Sequence, residues 1–552
     1  MADSRTKRLI PASAQPPLDL SRLILTDEPD TEAVPLDVTI VGGGPAGLAT
    51  AIELARLAKG AGLELEIGVL EKAGGLGEHT LSGAVVNPGP FRELFPDVPL
   101  EDLPFRRPVG KEGVYLLRES GSTRLPTPPT MKNHGNWIAS ISEICRWMGE
   151  QAEALGVNVF PGFPADALLV DGDAVRGVRT TPSGLGRDGQ PGNGYEPAGD
   201  ILGRVVVLAE GTRGTLTQAW QQWQKVTSPN PQIYALGVKE LWETKKPLDQ
   251  IIHTMGWPLP NDAFGGSFMY PLEDNLVALG LVVGLDYHDA TLDVHALLQR
   301  LKLHPLFRPY LEGGEMVEWG AKTIPEGGFL SWARRRHGAG LVVVGDSAGY
   351  VDVPSLKGIH YAVHSGMLAA RTIFAAIQKD DVSEAGLAGY TAAVDSSFIA
   401  RDLERTRNMR LAFKGGFYAG GVKAGLMTLT GGRFPGGTLT VDEDAAEPKQ
   451  LTGAAPAAPA PDGKLTFSKV DAVYKSGNQT RDDIPSHLVV GQDISAEMAT
   501  LYEHLCPAGV YEQKDGTLVV NAPNCVDCKA TDVLGPRWTP REGGSGPAYR
   551  RM

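Results

Sequence analysis

Three of the four cysteines stand near the C-terminal end, at Cys506, Cys525 and Cys528. The fourth, Cys145, lies alone in an amphipathic stretch and reads as a small buried hydrophobe. Cys525-x2-Cys528 is a turn that offers two thiolates to one centre, and Cys506 is followed by Pro507. A cysteine pair alone is ambiguous among zinc, a redox dithiol and iron. Joined to the remote Cys-Pro, it predicts an iron–sulfur cluster.

A second group of residues could hold phosphates. VTIV (38–41) reads as a buried strand, GGGPAG as a tight turn, and LATAIELARLAKGAG as a helix. Gly42 makes the turn, Gly44 lets a pyrophosphate approach the backbone, and Gly47 lets helix and strand pack closely. The phosphates would meet the free N–H groups at the helix N-terminus. A further strand ends at Glu71, whose carboxylate can take both hydroxyls of an adenosine ribose. Far downstream, LVVVGD ends a strand in Asp346, which could accept from a ribityl hydroxyl, and Gly358 opens another helix. LGRVVVLAEGTRG (202–214) adds a third strand and turn. Three distant segments converging on one cofactor suit the long FAD better than NAD.

These groups need an α/β frame large enough to gather them, and 552 residues with 42% hydrophobic content supply several domains. The 68 glycines argue against a helical bundle. The balance of 52 Lys+Arg against 65 Asp+Glu, net −13, excludes a basic nucleic-acid footprint. Four cysteines in such a chain exclude a disulfide scaffold. No apolar core follows the first basic residues, so no secretory signal is expected, and no apolar run reaches the ~18 residues of a membrane span. A reducing compartment is expected.

The strings GEHTLSGAVVNP (77–88), GGSFMYP (265–271), KTIPEGGFLS (322–331), GDSAGYVDVPSLKGIHYAVHSGMLAA (345–370), CPAGVYE (506–512) and NAPNCVDCK (521–529) resemble the electron-transfer flavoprotein:ubiquinone oxidoreductase family. The likeness runs from about residue 35 to the C-terminus. It implies an FAD-binding α/β domain like that of glutathione reductase and hydroxybenzoate hydroxylase, an inserted α+β quinone domain, and a small ferredoxin-like iron–sulfur domain. On this chain the FAD domain takes 35–90, 136–214 and 336–445, and the quinone domain takes 91–135 and 215–335. A connector (446–464) then leads to the cluster domain, 465–552. The resemblance gives the cofactor contacts as Gly42, Gly44, Pro45, Ala46, Gly47, Glu71 and Lys72. To these it adds His79, Leu81, Ser82 and Gly83, then Gly211 and Arg213, and finally Gly345, Asp346, Pro354, Gly358 and Ile359. It places the quinone head at Gly265 and Gly266. Paired glycines let a planar ring approach the backbone, and a bulge in a strand is the plainer reading. His79 and His360 fall near the cofactor by the same match, whereas His253 and His304 read as ordinary.

The family pattern has a further cysteine where this chain has Thr531. Three readings stand: a [4Fe–4S] cluster completed by water or by an oxygen ligand from Thr531, Asp527 or Asp532; a [3Fe–4S] cluster on Cys506, Cys525 and Cys528; or no cluster, or another metal such as zinc, in a surviving small domain. The implied activity is electron transfer, with no acid–base catalytic residue, from reduced electron-transfer flavoprotein to ubiquinone or menaquinone. The alternatives are an FAD-dependent reductase or dehydrogenase of a small or prenyl-like apolar substrate, and a structural subunit with idle FAD. Arg334, Arg335 and Arg336 beside Trp332 form a basic run that would face lipid headgroups or lie solvated. A membrane-surface partner and a cytoplasmic location on the inner face of the cell membrane are expected. The Ala/Pro-rich stretch before residue 465 reads as an ordered-to-flexible surface connector.

Overall fold

The computed structural model describes residues 8–83 and 85–552. Two large sheets organise it. The first has nine strands, with the order Asn158–Pro161, Ile67–Glu71, Val34–Val41, Asp200–Leu208, Ala174–Thr180, Ala165–Asp171 and Ile24–Leu25 along its main path. Its centre is parallel, and Leu341–Val343 joins it by pairing in parallel with Val206–Leu208. Val34–Val41 starts earlier than its apolar run suggests, because its exposed first half pairs with Ile201–Gly203. Only the second half is fully buried, and that half carries the hydrophobic signal.

The helices Pro45–Ala61 and Ile359–Gln378 pack against each other beside this sheet. They come close at Gly366, where a Cβ would stand 2.3 Å from the Ala46 carbonyl oxygen. Cys145 is fully buried in this domain's core, apart from the other three cysteines.

The second sheet has seven strands, ordered Glu315–Pro325, Tyr234–Glu243, Leu276–Gly284, Gly265–Glu273, Gln250–Gly256, Lys111–Arg118 and Gly121–Leu125. Its buried face shares one hydrophobic cluster with the C-terminal segment, joining Trp242 and Trp319 to Tyr502, Cys506 and Cys528. Glu315–Pro325 is an edge strand, and three of its outward N–H groups are taken by that segment. Trp319 donates to the Lys475 carbonyl (3.4 Å), Ala321 to the Tyr549 hydroxyl (3.3 Å) and Thr323 to the Cys528 carbonyl (2.9 Å). Beneath, Lys302 and Glu240 form an ion pair at 3.0 Å with both side chains fully buried. Gln299 and Trp242 also donate to Glu240.

Two stretches are held more firmly than their sequences suggest. The basic run divides: Arg334 is exposed, as expected, whereas the other two arginines are engaged by the protein. Arg336 is 2% exposed, donates to the Ala333 carbonyl (2.9 Å) and pairs with Asp395, while Arg335 pairs with Glu384. Trp332 packs between Phe329 and Tyr350. The connector is pinned along its length: Lys449–Gln450 pairs with Arg8–Leu9, the fully buried Lys449 ammonium donates to the Leu285 carbonyl at 2.6 Å, and Thr452 and Ala455 both donate to Asp289. No helix among the described residues is long and apolar enough to cross a membrane.

Candidate functional site

The three motif glycines do different work. Gly42 has φ +113°, and a Cβ there would lie 2.3 Å from the Ala209 carbonyl oxygen. At Gly47 a Cβ would lie 2.1 Å from the Gly42 carbonyl oxygen. Both are glycine because the chain leaves no room. A Cβ on Gly44, the residue that caps the helix, meets nothing within 4 Å. Its open side is cavity, and the space is free for a ligand. Pro45 occupies the first helical position, where its missing N–H costs nothing. Glu71 is buried and accepts from the Gly43 N–H (3.0 Å) and the Ala73 N–H (2.9 Å), which fixes its carboxylate beside the turn.

A cavity of about 910 Å³ begins at this turn. Gly44, Pro45 and Ala46 line it, as do Glu71, Lys72 and His79, and then Leu81, Ser82 and Gly83. Gly211, Asp346, Pro354, Gly358 and Ile359 form the facing wall. Burial raises Asp346 to about 6, against the pull of Lys322. Gly47, Gly345 and Arg213 stay off the cavity wall. The Gly345 N–H is spent on Ser365 (3.0 Å), and the Arg213 guanidinium is committed to Asp532 at 2.5 Å. Lys72 likewise pairs with Asp527 at 2.5 Å and contacts His79, which burial and Lys72 hold well below the usual imidazole range.

Gly265 and Gly266 line the same cavity farther along. A Cβ at Gly265, where φ is +154°, would sit 2.1 Å from the Val282 carbonyl oxygen, and one at Gly266 2.5 Å from that of Thr254. Close packing by the two flanking strands therefore demands these glycines, whatever approaches their open side. Three titratable groups that motif reading passed over also line this wall. Burial lowers Lys239 to about 8 against Glu318, and its ammonium has no protein partner. Burial lowers His253 to about 4, with Lys357 adding to the shift, and its Nε2 is unpartnered. Burial and then Lys72 lower Lys322 to about 7, and it donates to the Asp527 carbonyl at 3.1 Å. His304 is held by the Arg118 carbonyl and the Leu306 N–H.

Lys529 and Trp538 carry the cavity wall to the cysteine turn. Cys506, Cys525 and Cys528 are buried, and each sulfur accepts backbone N–H bonds. Cys506 takes those of Ala508 and Val510, Cys528 that of Ala530, and Cys525 that of Asp527 at 3.4 Å. Burial, and then the charge of Cys506, pushes the Cys528 thiol up to about 12. Amide donors aimed at clustered sulfurs are what a cysteine-ligated iron–sulfur cluster uses, because they stabilise sulfur-borne charge. The buried His487 beside Cys525 has neither ring nitrogen partnered. The residues fit the cluster in kind. Asp527 is saturated: Oδ1 accepts from Trp538 Nε1 and Arg541 Nη2, both at 3.0 Å, and Oδ2 takes Lys72. Against the cost of burial, Arg541 and then Lys72 hold it well below the usual carboxylate range.

At its far end the cavity is lined by Leu125, Pro126 and Met131 and by the helix Phe417–Leu429. That helix exposes Tyr418 (70%), Val422 (69%), Leu426 (44%) and Leu429 (85%) on one face. Its apolar sequence looks like core, which hid this face from sequence reading.

Two family models match the chain: ETF-QO, ubiquinone-binding, over residues 234–324, and Electron transfer flavoprotein-ubiquinone oxidoreductase, 4Fe-4S, over residues 463–550. Mitochondrial electron transfer flavoprotein-ubiquinone oxidoreductase of Oryza sativa subsp. japonica is 38% identical, covering 94% of this chain and 94% of the relative. That of Homo sapiens is 38% identical, over 94% of this chain and 89% of the relative. A geranylgeranyl bacteriochlorophyll reductase-like protein from Thermoplasma acidophilum shares the fold at TM-score 0.56 and 19% identity, over 73% of this chain and 92% of that one. The mitochondrial relatives overturn the expectation of a cytoplasmic chain on the inner face of a cell membrane.

Proposed function

The chain belongs to the electron transfer flavoprotein-ubiquinone oxidoreductase family, and from that premise we propose how its residues divide the work. It is an FAD-dependent oxidoreductase that takes electrons from reduced electron transfer flavoprotein and delivers them, by way of FAD and an iron–sulfur cluster, to ubiquinone. The observation that carries the assignment of residues is the single cavity running from the Gly44 turn past Gly265 and Gly266 to the exposed helix, with Lys529 and Trp538 on its flank. Bound in it, FAD supplies a two-electron store, and the cluster supplies a one-electron relay.

The chain's own part is binding, orientation and proton supply. The Gly44 turn and the N-terminus of Pro45–Ala61 receive the pyrophosphate, Glu71 the ribose, and the N-terminus of Ile359–Gln378 the flavin end. Asp346 turns its carboxyl into the cavity for a ribityl hydroxyl. The open faces of Gly265 and Gly266 meet the quinone head. Lys239 and His253, buried, unpartnered and on the same wall, pass protons toward it, because quinol formation consumes two protons.

The exposed face of Phe417–Leu429 enters the interfacial layer of a membrane, so that a quinone tail passes from lipid into the cavity. Its support is the coincidence of four exposed apolar side chains with the cavity's end, flanked by the exposed Lys423. Menaquinone, whose ring and tail make the same apolar demand, is the second acceptor in this reading.

The test is anaerobic turnover with reduced electron transfer flavoprotein as donor and short-chain ubiquinone and menaquinone analogues as acceptors. Donor-dependent reduction of the ubiquinone analogue is expected, with the menaquinone analogue as a second substrate. A flavin that the donor does not reduce, or that quinone does not reoxidise, refutes the reading.

A further inference from the structure

A cubane iron–sulfur cluster takes four cysteine thiolates, and a Cys-x2-Cys turn commonly continues -x2-Cys to supply the third of them. Here that next position is Thr531. The remaining cysteine does not compensate, because Cys145 is buried in the core of the nucleotide-binding domain. The donor set is therefore three thiolates, and the fourth corner depends on what else the protein turns toward them.

Four side chains are candidates, and the structure disposes of each. Asp532 gives Oδ2 to Arg213 at 2.5 Å, and Oδ1 accepts from the Trp538 N–H at 3.0 Å. Asp527 is held from both oxygens by Lys72, Trp538 and Arg541, so ligation would leave the buried Arg541 guanidinium unpaired. His487 has free ring nitrogens, but its donor atom lies within 4.8 Å of both the Cys525 sulfur and Asp527. Ligands to different corners of a cubane point away from one another, and His487 crowds the corner that Cys525 already serves. Thr531 itself holds the place of the missing cysteine. It is buried, and its Oγ1 lies 3.4 Å from the Tyr511 hydroxyl, a phenol that itself feels the charges of Cys506, Cys525 and Cys528. A neutral hydroxyl occupied by a second hydroxyl is a poor substitute for thiolate.

We infer that this chain holds a three-iron, [3Fe–4S] cluster on Cys506, Cys525 and Cys528, with Thr531 and Tyr511 closing the corner where a fourth iron would sit. The inference rests on the cluster reading above and departs from the four-iron description of the matched family model. It also makes Thr531 the residue that sets the iron count.

The experiment uses the full chain, purified anaerobically and reconstituted with ferrous iron and sulfide. Iron and acid-labile sulfide are counted against bound FAD, and electron paramagnetic resonance spectra are taken before and after dithionite reduction. About three irons per FAD and a cluster signal in the oxidised protein are expected. Thr531→Cys should raise the count to about four and move the signal to the reduced protein. Four irons in the natural chain, with a signal only on reduction, overturn the inference and leave the cluster reading standing. A flavin-loaded chain that takes up no iron overturns both. A Thr531→Cys protein that keeps FAD but still counts about three irons also overturns the inference, because Thr531 then does not face the open corner.

Discussion

Gly44→Ala separates a glycine kept for a ligand from glycines kept for the fold. Gly44 has φ −84° and ψ −178°, extended backbone that alanine adopts without strain. A Cβ there touches nothing within 4 Å. The cofactor-free variant should be as stable as the parent or gain about 0.4–1 kcal/mol, because the unfolded chain loses freedom. The methyl group nevertheless occupies the side from which phosphates reach the helix N-terminus. Overfilling a close contact costs about 1–3 kcal/mol, and at 1.4 kcal/mol per decade FAD should bind roughly 5- to 150-fold more weakly. Gly47→Ala is the contrast: its Cβ would stand 2.1 Å from the Gly42 carbonyl oxygen and 3.1 Å from Ile40 Cγ2, so the cofactor-free chain itself should be destabilised. The assay is FAD titration of deflavinated protein by flavin fluorescence, beside denaturant unfolding of the same preparations. An unchanged FAD affinity in Gly44→Ala would refute the reasoning. So would cofactor-free destabilisation matching that of Gly47→Ala.

Glu240→Ala leaves Lys302 charged in a site with no exposure, and unfolding midpoints should report a loss of about 3–5 kcal/mol. His253 stays neutral in the folded chain down to about pH 4, whereas an unfolded imidazole protonates below about 6.5. Stability is therefore lost as pH falls through that window, by up to about 1.4 kcal/mol per pH unit for this group. His253→Gln should flatten the slope, and an unchanged slope counts against the burial argument. Leu429→Glu together with Val422→Glu should abolish co-flotation with vesicles while sparing FAD content. Retained flotation would move the membrane contact elsewhere.

The nucleotide cradle was legible because all its information is local: a strand, a Gly-rich turn, a helix and an acid lie within residues 38–71. The cysteine turn was legible for the same reason. What could not be read depends on partners far along the chain. Asp527 looks like a spare oxygen ligand until Lys72, 455 residues away, is found on it. Arg336 reads as surface charge because nothing in a run of arginines reports Asp395, 59 residues on, or the stacking of Trp332. The helix Phe417–Leu429 errs the other way, since apolar composition cannot tell a face that meets core from one that meets lipid. Lys239 and His253 carry no motif, and only the cavity between strands gives them a role.

The edge strand Glu315–Pro325 offers N–H groups at Trp319, Ala321 and Thr323, and the C-terminal segment answers each one. An unanswered row of that kind is a template for another chain's strand. The segment that bears the cysteines is thus also a guard against self-association. One of its three contacts, the Cys528 carbonyl, belongs to a thiolate donor. Whatever loosens the cysteine turn, iron starvation included, uncovers part of the edge. The expected sign of cluster loss in a cell is then falling solubility and early degradation, together with the deficit in electron flow.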